Sequence, residues 1–281
     1  MWQWLAEPFQ FAFLRHALVV CTVAGGLCGV LGVFVTLRGM SYIGHGLSHS
    51  IFGGAAICAA LSVNFFVGAG AWGLASGLAV SAISRRRIIG SDAAIGVVTT
   101  ASFAFGIALL GLFSRVKRSI DATIFGSVLG VTVGDMWLVI VVTAVSFAVI
   151  ALRYRVLLFT TFDPEVAEAS GVRTARVDAL LMLLVCAAIL ASMKVLGVTL
   201  IAAALVTAPT IARMLTNSFA RMLWLSGLIG AVCGLVGMYA SYHLDISSGA
   251  TIVLVSFAVF LVTFAFTRGA GLKKVGGLHQ H

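Results

Sequence analysis

Charge is scarce in this sequence. Asp, Glu, Lys and Arg make up only 10% of the 281 residues, against about 25% in soluble domains, while hydrophobic residues make up 61%. A water-facing surface cannot be built from this composition, which excludes a separate soluble catalytic domain. We predict that residues 1–281 form a single transmembrane domain.

Sequence motifs for common chemistries are also missing. None of the five cysteines belongs to a CxxC pair, and all lie in apolar runs, so we interpret them as small buried hydrophobic residues. The chain has no GxxxxGK[ST] phosphate loop, which excludes ATP hydrolysis of the P-loop kind. It also lacks HExxH and GxSxG motifs, which disfavours a protease or an acyl-transferring enzyme. We predict that the chain is not an enzyme and that any ATP hydrolysis belongs to a separate subunit.

Long apolar runs are abundant. They approach the ~20 residues that a membrane-spanning helix needs and lack the alternation of β-barrel strands. The 31 glycines fit a helix bundle, because small residues let helices approach closely in lipid. We predict an all-α polytopic transmembrane bundle of eight to ten spans, since the apolar segment 120–133 is short and could be a half-helix. The clear runs cover residues 13–37, 41–62, 64–83, 93–113, 135–152, 177–193, 195–214, 222–241 and 249–267.

The net charge of +9 is dispersed in short basic clusters between the apolar runs. This is the positive-inside pattern of a membrane protein rather than a nucleic-acid-binding face. With nine spans, the loop 153–176 and the tail 269–281 are cytoplasmic, although Arg115, Lys117 and Arg118 then face outside, against the rule. The clusters predicted to face the cytoplasm are Arg85–Arg87, Arg153 with Arg155, Arg173 with Arg176, and Arg268 with Lys273 and Lys274.

The loop 153–176 contains signals for a short helix from Phe162 to Gly171. Asp163 can cap the helix, Pro164 suits its first position, and Glu165 favours the positive end of the helix dipole. Gly171 suits the position just past the last turn. From these residues alone, an ordinary interfacial loop helix remains an alternative to a functional one.

Ionisable side chains are costly inside a membrane, so the few near the spans are candidates for a transport path. His45 and His49 are four residues apart, which places both imidazoles on one helix face, and Ser48 or Ser50 could orient a ring. Neutral imidazole binds zinc, copper or nickel, but a packing role for each ring is equally compatible with the pattern. The candidates are His45, His49, Asp92, Asp121, Asp135, Asp178, Lys194, His243 and Asp245.

His243 and Asp245 form a second candidate metal site, where an apolar run gives way to Ile246–Gly249. A spacing of two does not share a helical face, so both side chains could bind one ion only if the helix breaks there. The alternative is that Asp245 caps a turn between two spans.

Three segments together resemble the permease subunits of bacterial ATP-binding-cassette importers for zinc, manganese and iron(II). Residues 31–41, which lead into Leu47–Ser50, are similar to the end of that family's first span and its Ser-His pair. Residues 197–213 are similar to its span with a GxxL and a PAxxAR motif, and residues 245–253 to its DxPxG start of the last span. With the loop helix, the segments extend over nearly the whole chain in the family's order and spacing.

The resemblance implies a homodimer in the bacterial cell (inner) membrane, two cytoplasmic ATPase subunits, and an extracytoplasmic metal-binding protein. It implies that the 162–171 helix docks on the ATPase as a coupling helix, and it places His49 on the path of the metal. The metal is then cargo, and no permanently bound cofactor is expected. The family commonly has Asp where His45 stands. Because imidazole moves the preference from manganese toward zinc, we expect zinc ahead of manganese or iron.

Two other functions stay open at this point. A siderophore or cobalamin importer would require a wider transport path and has less need of paired histidines. A secondary metal carrier acting alone usually has a carboxylate in mid-span and no coupling helix. Asp135 and Asp178 lie too close to span ends for that role.

Overall fold

A computed structural model of the chain describes residues 10–61, 65–85, 89–113, 131–197 and 201–276, which form helices and short connections. These ranges contain no β-strand, which confirms the all-α prediction. The helices are α1 (Ala12–Leu37), α2 (Ile43–Leu61), α3 (Phe65–Ser84), α4 (Ser91–Phe113), α5 (Val133–Leu152), α6 (Tyr154–Phe162), α7 (Pro164–Ala169), α8 (Thr174–Leu196), α9 (Ile201–Leu215), α10 (Phe219–Leu244) and α11 (Ser248–Gly276).

Seven of these helices are long and apolar enough to cross a membrane, namely α1, α3, α4, α5, α8, α10 and α11. Helix α9 is apolar but has only 15 residues, and α2 carries the two histidines among its 19 residues. The count of eight to ten spans is therefore not confirmed. Residues 114–130, with Arg115, Lys117, Arg118, Asp121 and most of the 120–133 segment, lie outside the described residues.

Helix α1 forms the centre of the bundle. It is apolar on every side, as expected of a helix surrounded by others, and it packs mainly on α10 and α9. The backbones of α1 and α10 meet where a Cβ on Gly25 would overlap the Gly230 carbonyl. One turn further on, the Ser226 hydroxyl donates to the Gly29 carbonyl at 2.6 Å. Small residues therefore determine how closely these helices approach, as the glycine content predicts.

Pro209 lies inside α9 and deprives the Leu205 carbonyl of its helical N–H donor. Gly32 of α1 packs directly against that carbonyl, and a Cβ there would overlap the oxygen. The Leu205 side chain also meets Gly44 of α2. One turn of α9 therefore packs against both the last part of α1 and the start of the histidine-bearing helix α2.

The bundle has two distinct ends. At one end, the ring of Phe219 lies 5.5 Å from Phe34 and 5.8 Å from Phe162, so α10 begins beside the end of α1 and the end of α6, immediately before α7. We call this the α7 end. At the other, Phe11 before α1 contacts Tyr242 near the end of α10 at 6.3 Å. We call this the Asp245 end.

Candidate metal-transport site

His45 and His49 lie together on one face of α2, as their spacing predicts. Their ring centroids are 4.5 Å apart, and the rings meet edge to face. Tyr42 lies 5.2 Å from His45 on one side, and Phe103 of α4 lies 5.2 Å from His49 on the other. Both histidines are half-buried. The pair thus forms the polar middle of a row of rings that reaches the surface of the subunit.

The local sequence explains why α2 starts where it does. Gly39 adopts a left-handed conformation with φ of +68°, and the amide of Met40 donates to the carbonyl of Val35 at 3.0 Å. This arrangement ends α1 with a tight turn. Small residues then let α2 enter the bundle, because Gly44 faces α9 and Gly46 faces Thr99 of α4.

Neither serine beside the histidines bonds an imidazole, although the sequence suggested that Ser48 or Ser50 could orient one of the rings. The buried Ser48 hydroxyl donates to the Gly44 carbonyl of its own helix at 2.6 Å. Ser50 instead bonds Ser76 of α3 at 2.5 Å and Ser102 of α4 at 2.7 Å. Both hydroxyls are buried and bonded elsewhere, because a buried hydroxyl takes the nearest strong partner.

Sequence reasoning missed the hydroxyl cluster that Ser50 belongs to. Ser76 and Ser102 are 3.0 Å apart, and Trp72 Nε1 donates to Ser102 at 2.6 Å. The cluster of Ser50, Ser76, Ser102 and Trp72 ties α2 to α3 and α4 directly behind His49. The only sequence signal was a few Ser and Thr residues within three apolar runs.

The other predicted pair, His243 and Asp245, lies at the Asp245 end. The ring of His243 packs between Tyr239 at 4.6 Å and Tyr242 at 5.2 Å. Asp245 is exposed and ends α10 in a left-handed conformation with φ of +54°. This geometry fits the alternative in which Asp245 terminates the helix.

Metal-binding side chains do not gather into larger clusters in the described part of the chain, where no three His, Cys, Asp or Glu residues come together around one point. The structure therefore brings His45 to His49 without adding a third such group from the described residues of the same subunit. Asp135 lies in a capping box with Thr132 at the start of α5, as its place near a span end suggests. The side chain of Lys194 is outside the described residues.

The short helix predicted in the 153–176 loop is confirmed. Helix α7 begins at Pro164, and the Asp163 carboxylate accepts a hydrogen bond from the Val166 amide at 3.1 Å. Glu165 is in its first turn. Gly171 follows the helix with φ of +84°, and its amide donates to the Glu168 carbonyl at 3.0 Å.

An arginine that the sequence analysis did not single out joins the span ends at the α7 end. The Arg38 guanidinium, only 9% exposed, pairs with Asp178 of α8 at 2.6 Å. It also donates to Thr161 at 3.1 Å and to Thr160 at 3.0 Å, both on α6. Burial lowers the pKa of Arg38, while the Asp178 carboxylate opposes this shift. The resemblance segment 31–41 contains Arg38 but gives no sign of its partners.

Proteins of known name resemble this chain along nearly its whole length. It is 36% identical over 263 residues to the manganese transport system membrane protein MntC of Listeria monocytogenes, which covers 94% of each chain. It is 38% identical over 255 residues to the manganese import system permease protein ScaB of Streptococcus parasanguinis, which covers 91% of each. The solved structure of PsaBC from Streptococcus pneumoniae in complex with Fab matches with a TM-score of 0.83 and 33% identity, over 94% of this chain and 95% of that one.

The ABC 3 transport family matches residues 10–267, a range that contains every described helix except the last part of α11. Together with seven helices able to cross a membrane, this match makes the chain a multi-pass protein of the bacterial cell membrane. The order of its segments, its helical bundle and its similarity to named permeases agree: the chain belongs to the ABC 3 transport family.

Proposed function

We propose that this chain is the permease subunit of an ATP-driven importer for divalent transition metals, with zinc preferred over manganese and iron. The observation that carries the proposal is the pair of histidines 4.5 Å apart on one face of α2. In a protein of this family, two half-buried imidazoles inside the bundle are best explained as ligands of the cargo. Family membership favours this function over a siderophore importer or a lone secondary carrier.

The pair is incomplete as a metal site within the described part of one subunit, which supports a homodimer. Zinc takes four ligands in closed sites, and the described part of this chain offers two together. A second copy that faces the first would supply two more imidazoles, or water would complete the shell. Incomplete coordination suits transport, because an ion must leave the site as readily as it enters.

The metal preference rests on His45. Two relatives carry manganese in their names, and manganese favours oxygen ligands such as carboxylate. Here an imidazole stands where the family commonly has Asp. A site with two nitrogen ligands and no carboxylate among the described neighbours favours zinc over manganese.

We assign one protein partner to each end of the bundle. Glu165 and Val166 of α7 and Phe162 at the end of α6 have exposed side chains, and we assign this surface to docking on a cytoplasmic ATP-binding-cassette subunit. An extracytoplasmic metal-binding protein then delivers the ion at the Asp245 end. In this arrangement α2 and α9 also cross the lipid bilayer, which gives nine spans.

The proposal is tested by metal uptake into proteoliposomes that hold the complete complex with its ATPase and binding protein. His49→Ala should lower zinc uptake by at least about tenfold, since even changes behind a metal ligand cost 10–100-fold. His45→Asp should raise the ratio of manganese to zinc transported, because it restores a carboxylate oxygen.

His16→Ala serves as the control, since it removes an imidazole of α1 that lies apart from the pair. It should leave uptake at the wild-type rate with equal protein in the membrane. Normal zinc uptake by both His45→Ala and His49→Ala would make the pair structural and move the search to His243 and Asp245. Uptake without any ATPase partner would instead favour the secondary carrier.

A further inference from the structure

We propose that Arg38 is the positioning residue through which movement of α7 reaches the histidine-bearing helix α2. This inference rests on the proposed function, since it assigns the link between the ATPase-docking helix and the metal path. Arg38 touches neither metal nor ATPase in this role. It acts through the elements that it holds together.

The guanidinium binds the two elements that flank α7. Its Nε and Nη2 donate to Thr161 and Thr160 in the last turn of α6, immediately before α7, and its Nη1 donates to Asp178 in α8, which follows α7. The planar fork of arginine allows these three bonds at once in fixed directions. Displacement of α7 relative to the bundle therefore pulls on Arg38 from both sides.

Arg38 is also the first residue after α1, and the tight turn at Gly39 connects it to the start of α2. The same turn leads through Tyr42, whose ring packs on His45 at 5.2 Å. A shift of Arg38 is thus passed to the first turn of α2 by a short, structured connection. His45 lies in that first turn.

Arg38 lies in the wall of a cleft on this side of α7. A cleft of about 340 Å³ is lined by residues of α3, α6, α7 and α8 together with Arg38. Arg85, the first residue after α3, forms two longer ion pairs across this cleft, at 3.7 Å to Asp178 and 3.8 Å to Glu168 of α7. Glu168 is 66% exposed, so its pair with Arg85 is weak. The short, buried bonds of Arg38 are better suited to transmit a displacement.

Two variants separate transmission of movement from simple charge pairing. Arg38→Lys keeps a cation near Asp178 but cannot form the three directed bonds. The double variant Thr160→Val with Thr161→Val keeps the Arg38–Asp178 pair and removes the hydroxyls with little change of shape. Thr160→Ser with Thr161→Ser restores the hydroxyls and is its matched control. Arg213→Lys, at an exposed position in the last turn of α9, controls for the arginine change.

The measurement is the number of zinc ions transported per ATP hydrolysed by the reconstituted complex. We expect this ratio to fall at least about fivefold in Arg38→Lys and in the double Val variant, the lower limit of typical coupling between sites. The double Ser variant and Arg213→Lys should keep the wild-type ratio. Combining Arg38→Lys with the double Val variant should add little, because both break the same link.

A purely structural role would lower uptake and ATP hydrolysis in proportion, with the ratio unchanged, and that result would overturn the inference. A normal ratio in the double Val variant would do the same, and this variant decides the matter if Arg38→Lys does not assemble. If wild-type complex shows zinc uptake that His49→Ala abolishes, the proposed function holds whatever the Arg38 variants do. Absence of ATP-dependent uptake by the wild-type complex would overturn both.

Discussion

The hydroxyl cluster behind His49 is held together by polar side chains in an apolar setting. Ser50, Ser76 and Ser102 bond one another, and Trp72 donates to Ser102. Since Ser50 neighbours His49 on α2 while Ser102 neighbours Phe103 on α4, the cluster fixes the register of the ring contact between them. Each hydroxyl needs the others, because a buried polar group without a partner is costly.

Ser50→Ala should therefore lower the stability of the protein and weaken transport. Ser76 and Ser102 each lose one hydrogen bond but still bond each other, and each lost bond costs about 0.5–1.5 kcal/mol. Thermal unfolding of the detergent-purified protein, together with zinc uptake, measures both effects.

Ser218→Ala is the control, because the Ser218 hydroxyl makes no cap bond at the start of α10. It should unfold at the wild-type temperature. Equal unfolding temperatures for Ser50→Ala and the wild type would show that the cluster contributes nothing to holding α2.

At the scale of the element, α7 is determined by its two ends. Six residues are too few for a stable isolated helix, so the Asp163 cap and the turn at Gly171 supply much of its local definition. Rings at both ends of α6 add an anchor, since Tyr154 and Phe162 each lie 5.8 Å from Phe219 of α10.

Gly171→Val should lower transport while the protein still assembles. A β-branched residue in the left-handed conformation costs about 1–2 kcal/mol, which shifts or frays the end of α7 where we place the ATPase. Zinc-stimulated ATP hydrolysis by the complex measures the effect.

Gly171→Asn is the matched comparison, because Asn tolerates the left-handed conformation better than other side chains do. We expect it to retain more activity than Gly171→Val. If the Val variant hydrolyses ATP at the wild-type rate with transport still coupled, α7 is an ordinary interfacial helix and not a coupling helix.

At the scale of the whole molecule, the direction of the helices gives the bundle a consistent polarity. Arg38, Arg85, Asp178 and Phe219 all lie at the α7 end, while Phe11 and Tyr242 mark the Asp245 end. Arginines near the ends of α1 and α3 agree with a cytoplasmic α7 end by the positive-inside rule.

Labelling from outside intact cells tests this polarity in a background that lacks the five native cysteines. Ser170→Cys, beside α7, should stay unlabelled by an impermeant thiol reagent, and Ile246→Cys, exposed at the other end, should be labelled. Permeabilised cells provide the control, since both positions should then react. Labelling of Ser170→Cys in intact cells would reverse the assigned orientation.

Features whose causes lie within a few neighbouring residues could be predicted from the sequence. The apolar runs specify membrane helices by composition alone. The Asp163 cap, the start at Pro164 and the turn at Gly171 are local rules of helix ends. The pairing of His45 with His49 needs only one turn of helix, and the structure confirms it at 4.5 Å.

Only the tertiary structure decided which residues meet across helices. Arg38 and Asp178 are 140 positions apart, and Ser50 and Ser102 are 52 apart. Helices that are apolar on every side carry little information about which face turns toward which neighbour. Close packing at positions such as Gly32 and Gly230 sets that rotation. The sequence by itself therefore determined the membrane bundle, α7 and the histidine pair, whereas helix packing decided the partners of Arg38 and Ser50, because those partners come from distant parts of the chain.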